Sequence, residues 1–158
     1  MRVLRRWLCG RTSLETMPIS KDHVGRTYPT TDPYHVSAAK ITEFATAIRD
    51  DSPAYQGPDP VAPPTFAMVI AAHAWQRLFD DSDLGLRLDH TIHTEQSFTW
   101  RRPLHAGDEI TAALTITSVR VRGNTDMIGL DVVLRDGDDE HVATASSTLW
   151  HTRGGQDD

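Results

Sequence analysis

Residues 65–79 begin Thr65-Phe66-Ala67-Met68-Val69-Ile70-Ala71-Ala72 and continue through Ala74, Trp75, Leu78 and Phe79 with few turn-forming residues. The run is too long for one buried strand. His73, Gln76, Arg77 and Asp80 make its one polar stripe, so the pattern predicts a helix buried around most of its circumference. Upstream, Ile41, Phe44, Ala45 and Ile48 recur at i, i+3, i+4 and i+7 behind Ser37. That spacing predicts a capped amphipathic helix over residues 37–50. Val36 and Ile41 are spaced as a hydrophobic staple, and Pro53 ends the helix by excluding helical backbone at Ser52. Residues 53–64 carry Pro53, Pro58, Pro60, Pro63 and Pro64 with Gly57, and read as loop.

From Leu88 onward the period changes to two. Leu88, His90, Ile92, Thr94, Gln96, Phe98 and Trp100 are predicted to share one face of a strand. Ala106-Gly107-Asp108 is a turn. Ile110, Ala112, Leu114 and Ile116 then share a face, whereas Val119 and Val121 fall on the opposite parity, which predicts a bulge near Thr117. Gly123-Asn124 and Asp136-Gly137 mark turns, and residues 127–134 and 141–150 are the last strands. The sum is an α+β domain. A helix apolar on nearly every side needs a sheet wrapped around it, which is the hotdog arrangement.

At 158 residues the chain has the size of one domain with a single sizeable core. Apolar content of 39% and a mean hydropathy of −0.41 suit a soluble globular protein. No apolar run approaches the ~20 residues needed to cross a bilayer, so no membrane partner is expected. The net charge of −6 argues against nucleic acid. Cys9 is the only cysteine, which excludes an internal disulfide and a cysteine zinc cluster and makes a reducing, cytoplasmic setting the default. Arg2, Arg5, Arg6 and Arg11 interrupt every apolar stretch of the first sixteen residues, leaving no signal-peptide core. Residues 1–16 are expected to be a disordered basic extension or a misassigned start. Residues 17–152 are expected to form the domain, and 153–158 a flexible tail.

Candidate chemistry centres on Arg49-Asp50-Asp51-Ser52-Pro53-Ala54-Tyr55, directly after the first helix. This stretch has the outline of the G-D-x-N-P-x-H signature of the R-specific enoyl thioester hydratases, the MaoC-like family. Asp50 takes the aspartate position, Pro53 the proline position, and Tyr55 stands where the histidine belongs. Further pieces of the resemblance are Pro33-Tyr34-His35-Val36, Phe44-Ala45-Thr46-Ala47-Ile48, Ala62-Pro63-Pro64-Thr65-Phe66 and Arg102-Pro103-Leu104-His105-Ala106-Gly107-Asp108. Their order and spacing resemble the MaoC dehydratase N-terminal-domain type. The likeness is greatest to the small subunits that pair with a catalytic partner in (3R)-hydroxyacyl-ACP dehydratases.

The resemblance implies a hotdog fold and a pair of hotdogs, one carrying the Asp/His pair and the other shaping the acyl channel. Arg49 for glycine, Ser52 for asparagine and Tyr55 for histidine place this chain with the non-catalytic member. It would then be an accessory subunit in fatty-acid or polyketide-type chain building, with a catalytic MaoC-like partner or a second copy, and an acyl carrier protein or CoA thioester as substrate. No cofactor is expected. Dehydration of a 3-hydroxyacyl thioester needs a base for the α-proton, an acid for the leaving hydroxyl and donors for the enolate oxygen. An imidazole with pKa about 6.5 can move protons at neutral pH, and a phenol near about 10 is a poor base. Asp50 is thus the only catalytic candidate. The start of the second helix at Pro64, Thr65 and Phe66 offers a backbone donor, and the acyl chain is expected to run past Tyr55, Phe66, Val69 and Ile70.

Other polar residues have plainer readings. His105 sits in a turn. His90 and His93, at odd spacing on a strand, point to opposite faces, and no metal site is expected. Arg101, Arg102, Arg120 and Arg122 fit a solvated sheet edge as well as an acidic carrier. Two alternatives stay open: a self-sufficient hydratase or thioesterase, and a non-enzymatic acyl-binding homodimer.

Overall fold

The computed structural model describes residues 18–154. The expected basic extension at 1–16 and most of the expected tail lie outside them. Two α-helices, α1 (Ala38–Ala47) and α2 (Ala67–Phe79), accompany five strands: β1 (Tyr34–His35), β2 (Thr91–Trp100), β3 (Glu109–Arg122), β4 (Thr125–Arg135) and β5 (His141–Thr152). All strand pairs are antiparallel, in the spatial order β1-β3-β4-β5-β2.

The helices form where the apolar spacing puts them. Ser37 caps α1 by accepting from Lys40 N at 3.2 Å, and the staple residues Val36 and Ile41 are both fully buried. The helix closes at Ala47, with Ile48 as C-cap, shorter than the expected 37–50. Its end is a Schellman turn in which Arg49 N donates to the Thr46 carbonyl and Asp50 N to the Ala45 carbonyl, at 3.1 and 2.9 Å. This turn needs a left-handed residue at position 49, and Arg49 takes it with φ 58°. α2 buries Ala67, Ile70, Ala71, Ala74 and Leu78 against the sheet, while Ala72, His73 and Gln76 stay exposed.

The inward sheet face supplies Ile110, Ala112, Leu114 and Ile116 from β3, Ile128, Leu130, Val132 and Leu134 from β4, and Ala143, Ala145 and Leu149 from β5. A register shift between Ile116 and Ser118 places the bulge at Thr117, as the parity slip predicts. Gly129 lies opposite this bulge. A Cβ there would stand 2.5 Å from Ser118 Oγ and 2.9 Å from Thr117 Oγ1, so any larger residue would force those hydroxyls to turn away.

One expectation is corrected. A second shift lies between His93 and Glu95, so residues 88–100 do not share one face. Ile92 pairs with outward-facing Trp150 and is 66% exposed, whereas Gln96, Phe98 and Trp100 turn inward beyond the bulge. Leu88 and His90 belong to a 3-10 turn before the strand. Arg153 makes a bidentate pair with buried Asp126 at 2.9 and 2.6 Å, and its backbone is bonded to Asn124. No described helix is long and apolar enough to cross a membrane.

Candidate functional site

The loop after α1 folds back on its own carboxylate. Asp50 Oδ1 accepts from Ser52 N at 3.2 Å, and Asp50 Oδ2 accepts from the Tyr55 hydroxyl at 3.3 Å. Ser52 caps a single 3-10 turn, Pro53–Tyr55, which brings the phenol round to the aspartate. The Tyr55 hydroxyl is held above its usual pKa, first by partial burial and then by the Asp50 charge. It therefore stays a neutral donor at physiological pH and cannot take a proton from carbon. Asp50, Tyr55, Thr42, Thr46 and Arg49 line a cleft of about 380 Å³.

Tyr55 is shared with a second cleft, of about 390 Å³, whose other walls are Val61, Ala62, Pro64, Trp100, Pro103 and Leu104, with Arg101 and Arg102 at its margin. Backbone bonds hold its two sides together. Val61 N donates to the Ala54 carbonyl at 2.9 Å, Ala62 N to the Leu104 carbonyl at 2.8 Å, and Ala106 N to the Pro60 carbonyl at 3.2 Å. The proline-rich loop is thus a strap tied to the turn after β2. This cleft is the more apolar of the two, as suits a site for a hydrocarbon ligand.

The start of α2 is a 3-10 turn, Pro64–Phe66, in which Phe66 N closes onto the Pro63 carbonyl at 2.9 Å. Pro63 and Pro64 have no amide hydrogen, and Thr65 is exposed, so the Thr65 amide is the donor this end offers to an incoming oxygen. Of the residues expected to form the site, the structure gathers Tyr55 and Pro64 at one cleft with Thr65 beside Pro64 in the chain. Phe66 is fully buried, edge-on to Phe44 at 5.3 Å and to Tyr34 at 6.2 Å. Ile70 is 1% exposed and borders a different cleft with Tyr34 and His73, and Val69 is half-buried.

Trp100, Leu104 and Val61 carry no site signal in the sequence. Their approach to Tyr55 depends on the long-range strap, for which no local spacing is a signal. The four arginines also divide. Arg102 is locked between Asp108 at 2.7 Å and Asp136 at 2.9 Å, and those carboxylates raise its pKa. Arg101, Arg120 and Arg122 form no ion pair among the described residues. His105 lies 3.6 Å from exposed Asp59, His93 packs edge-on to Trp75, and His90 stacks on His151. No group of three metal-ligating side chains is brought together among the described residues.

A five-stranded antiparallel sheet over one central helix, with a hydratase-type loop after the preceding helix, defines a hotdog protein of the dehydratase kind. The chain belongs to the FAS1-like dehydratase domain region family, whose profile matches residues 22–145. It is 68% identical over 137 residues to a UPF0336 protein of Cutibacterium acnes, covering 87% of this chain and 96% of that one. Among solved structures it is similar to the C-terminally truncated HadBC (3R)-hydroxyacyl-ACP dehydratase complex from Mycobacterium tuberculosis. There the identity is 28%, the TM-score 0.73, and the coverage 84% of this chain and 99% of that one. A MaoC-like dehydratase matches with 29% identity and a TM-score of 0.76 over 85% of this chain and 43% of the larger one. The hotdog fold and the MaoC-like dehydratase resemblance expected from the sequence are both borne out.

Proposed function

We propose that this chain is the accessory subunit of an R-specific 3-hydroxyacyl thioester dehydratase and acts beside a catalytic hotdog partner. The observation that carries the reading is Tyr55. It occupies the histidine position, donates a hydrogen bond to Asp50 and leaves the loop without an imidazole to take the α-proton. The reaction removes that proton and expels the 3-hydroxyl as water, giving a 2-enoyl thioester. This chain contributes binding surface and the Thr65 amide, and the partner contributes the base.

The likeness to a complex of two chains supports a partner of the same fold. So does the outer edge of β2, a ten-residue strand bonded to β5 on one side and to no strand on the other among the described residues. An unpaired edge of that length is a template for another strand. Beside it, Ala72, Trp75, Phe79 and Leu88, with Gln76 and Asp80 among them, line a mostly apolar open cleft of about 470 Å³ along α2, and Leu88 is 68% exposed. An apolar helix flank next to a free strand edge suits a second hotdog better than solvent.

The test compares the purified chain, a catalytic hotdog carrying an intact G-D-x-N-P-x-H loop, and their co-expressed complex, on 3-hydroxyacyl and crotonyl thioesters. The complex is expected to turn over and the isolated chain to run at least about a hundredfold slower, the scale of a missing general base. Robust turnover by this chain alone overturns the assignment.

A further inference from the structure

The bulge at Thr117 decides which way two arginines point. Ile110, Ala112, Leu114 and Ile116 face inward, and without the extra residue Arg120 and Arg122 would follow the same parity. The register shift turns both onto the outer face of the sheet, where they are exposed. Arg120 pairs across to Met127, Met127 to Trp150 and Trp150 to Ile92, so one outward row crosses four strands. Trp150 is 44% and Ile92 66% exposed, and Met127 is half-buried. Arg122 stands in the next row, beside Thr125 and Thr152. Neither arginine side chain has a partner among the described residues. Two carboxylates of the same face lie in the rows on the other side of Trp150, and both are in use. Asp131 accepts from the Ser146 hydroxyl at 2.6 Å and Glu95 from the Thr148 hydroxyl at 2.9 Å. The outer face thus carries an apolar stripe with two free cations on its hairpin side, in a chain whose net charge is −6.

We propose that this stripe is a dock for an acidic helix of the carrier protein that brings the substrate. Arg120 and Arg122 pair with its carboxylates, and Trp150, Met127 and Ile92 pack against its apolar flank. The inference rests on the accessory-subunit reading and names how the thioester is delivered. Charge selects the occupant. A protein of net −6 repels an acidic partner over most of its surface, so such a partner binds where the sign is locally reversed. Glu95 and Asp131 repel the same partner from beyond Trp150 and hold it toward the hairpin. The row spans three strand spacings, about 14 Å, which about two and a half turns of helix cover. It ends at Ile92, on the outer edge of β2. A partner strand laid antiparallel on that edge brings its own C-terminal end beside Ile92. In this chain that end of β2 runs into the turn to which the loop strap is tied, by Ala62 N to the Leu104 carbonyl. In a partner of the same fold, the catalytic loop is therefore the one nearest the docked carrier, and this chain's own Tyr55 lies at the far end of the sheet. The pantetheine arm crosses the shared edge to the partner's base, so one chain holds the carrier and the other does the chemistry.

The dock is read from the kinetics of the complex with a catalytic hotdog, on a 3-hydroxyacyl carrier protein and on the matching CoA ester. The double variant Arg120→Glu, Arg122→Glu is expected to raise KM for the carrier substrate about tenfold and to leave kcat within about twofold. KM for the CoA ester stays at the parent value, and the difference between the two substrates shrinks as salt rises. Trp150→Thr is expected to raise the carrier KM roughly threefold to fivefold with little dependence on salt. Circular-dichroism melts and sedimentation profiles that match the parent show that the variants fold and pair, and Met127→Gln replaces Trp150→Thr if that variant does not. Equal changes for the two substrates, or none for either, overturn the dock and leave the accessory-subunit reading standing. Two other occupants have their own signatures. Sedimentation of the complex with phosphatidylglycerol vesicles, or a doubling of its mass, that is lost in the double variant while the carrier KM is unmoved overturns the dock in favour of a lipid surface or a second copy. A parent complex that dehydrates neither ester, yet binds the carrier protein in calorimetry with an affinity lost in the double variant, overturns the accessory-subunit reading and leaves the dock standing.

Discussion

The Tyr55 hydroxyl lies 3.3 Å from Asp50 Oδ2, so the residue at the histidine position is a hydrogen-bond donor to the aspartate of the same loop. In a catalytic loop the two positions would face a substrate as separate acid and base. Here the bond closes them on each other. Tyr55→Phe removes the hydroxyl and keeps the ring that walls the cleft. Because the bond lies at the surface, the unfolding midpoint should stay close to the parent's, and turnover by the complex should stay within about twofold of the parent. A tenfold fall in kcat with unchanged binding would show that the phenol takes part in proton transfer.

Arg49 is the second departure from the hydratase pattern, and its backbone carries the cost. It holds φ 58° in the Schellman turn that ends α1, a conformation that costs an L-residue with a Cβ about 1–2 kcal/mol. Arg49→Gly relieves that strain and loses part of the gain to the greater freedom of the unfolded chain. A net stabilisation of up to about 1 kcal/mol is expected in urea unfolding. A fall in the midpoint would mean that the arginine side chain makes a contact worth more than the strain.

The two neighbouring arginines should separate cleanly. Arg102 joins the Asp108 turn to Asp136 in the turn between β4 and β5, and its partners are each 18% exposed at the side chain. Arg102→Ala leaves two partly buried carboxylates facing each other. It is expected to cost about 1–2 kcal/mol, allowing for solvent screening of a group that is itself about one-third open. Arg101→Ala should change the unfolding midpoint by less than about 0.5 kcal/mol. Equal losses in the two variants would contradict the division between a structural and a free cation.

Elements whose side-chain period matches their burial were legible in the sequence, and those set by distant contacts were not. Ser37, the Ile41–Ile48 spacing and the apolar run from Ala67 gave α1 and α2 because a helix advertises its buried face locally. The bulge at Thr117 showed itself as a change of parity between Ile116 and Val119. The bulge between His93 and Glu95 was hidden, because Ile92, Thr94, Gln96 and Phe98 alternate without a break. Nothing in that alternation says that Ile92 faces solvent beside Trp150. The loop chemistry was readable at Asp50 and Tyr55 because the signature is contiguous. Trp100 and Leu104 join Tyr55 only through the Ala62 N to Leu104 carbonyl bond and its neighbours, a juxtaposition of residues some forty positions apart.

His151 gives the fold a dependence on pH. It lies on β5, 4% exposed, and its Nε2 accepts from Arg87 N at 3.3 Å, which leaves the ring proton on Nδ1. Nδ1 has no hydrogen-bond partner among the described residues and faces Asp126 Oδ2 at 3.7 Å, a carboxylate already held by Arg153. Burial lowers the His151 pKa from its ordinary 6.5, outweighing the pull of Asp126, and the His90 and Arg153 charges act in the same direction as burial. The folded protein therefore takes up this proton less readily than the unfolded chain. The stability due to neutral His151 is complete above pH 6.5 and is lost as pH falls from there toward the folded-state pKa. Protonation also places a second hydrogen where the Arg87 amide already points, at the turn that leads into β2. In His151→Gln a side-chain oxygen can accept from Arg87 N without titrating. Urea midpoints at pH 7.5 and 5.5 should fall further for the parent than for this variant. Parallel losses in the two proteins would show that the acid sensitivity resides in other groups.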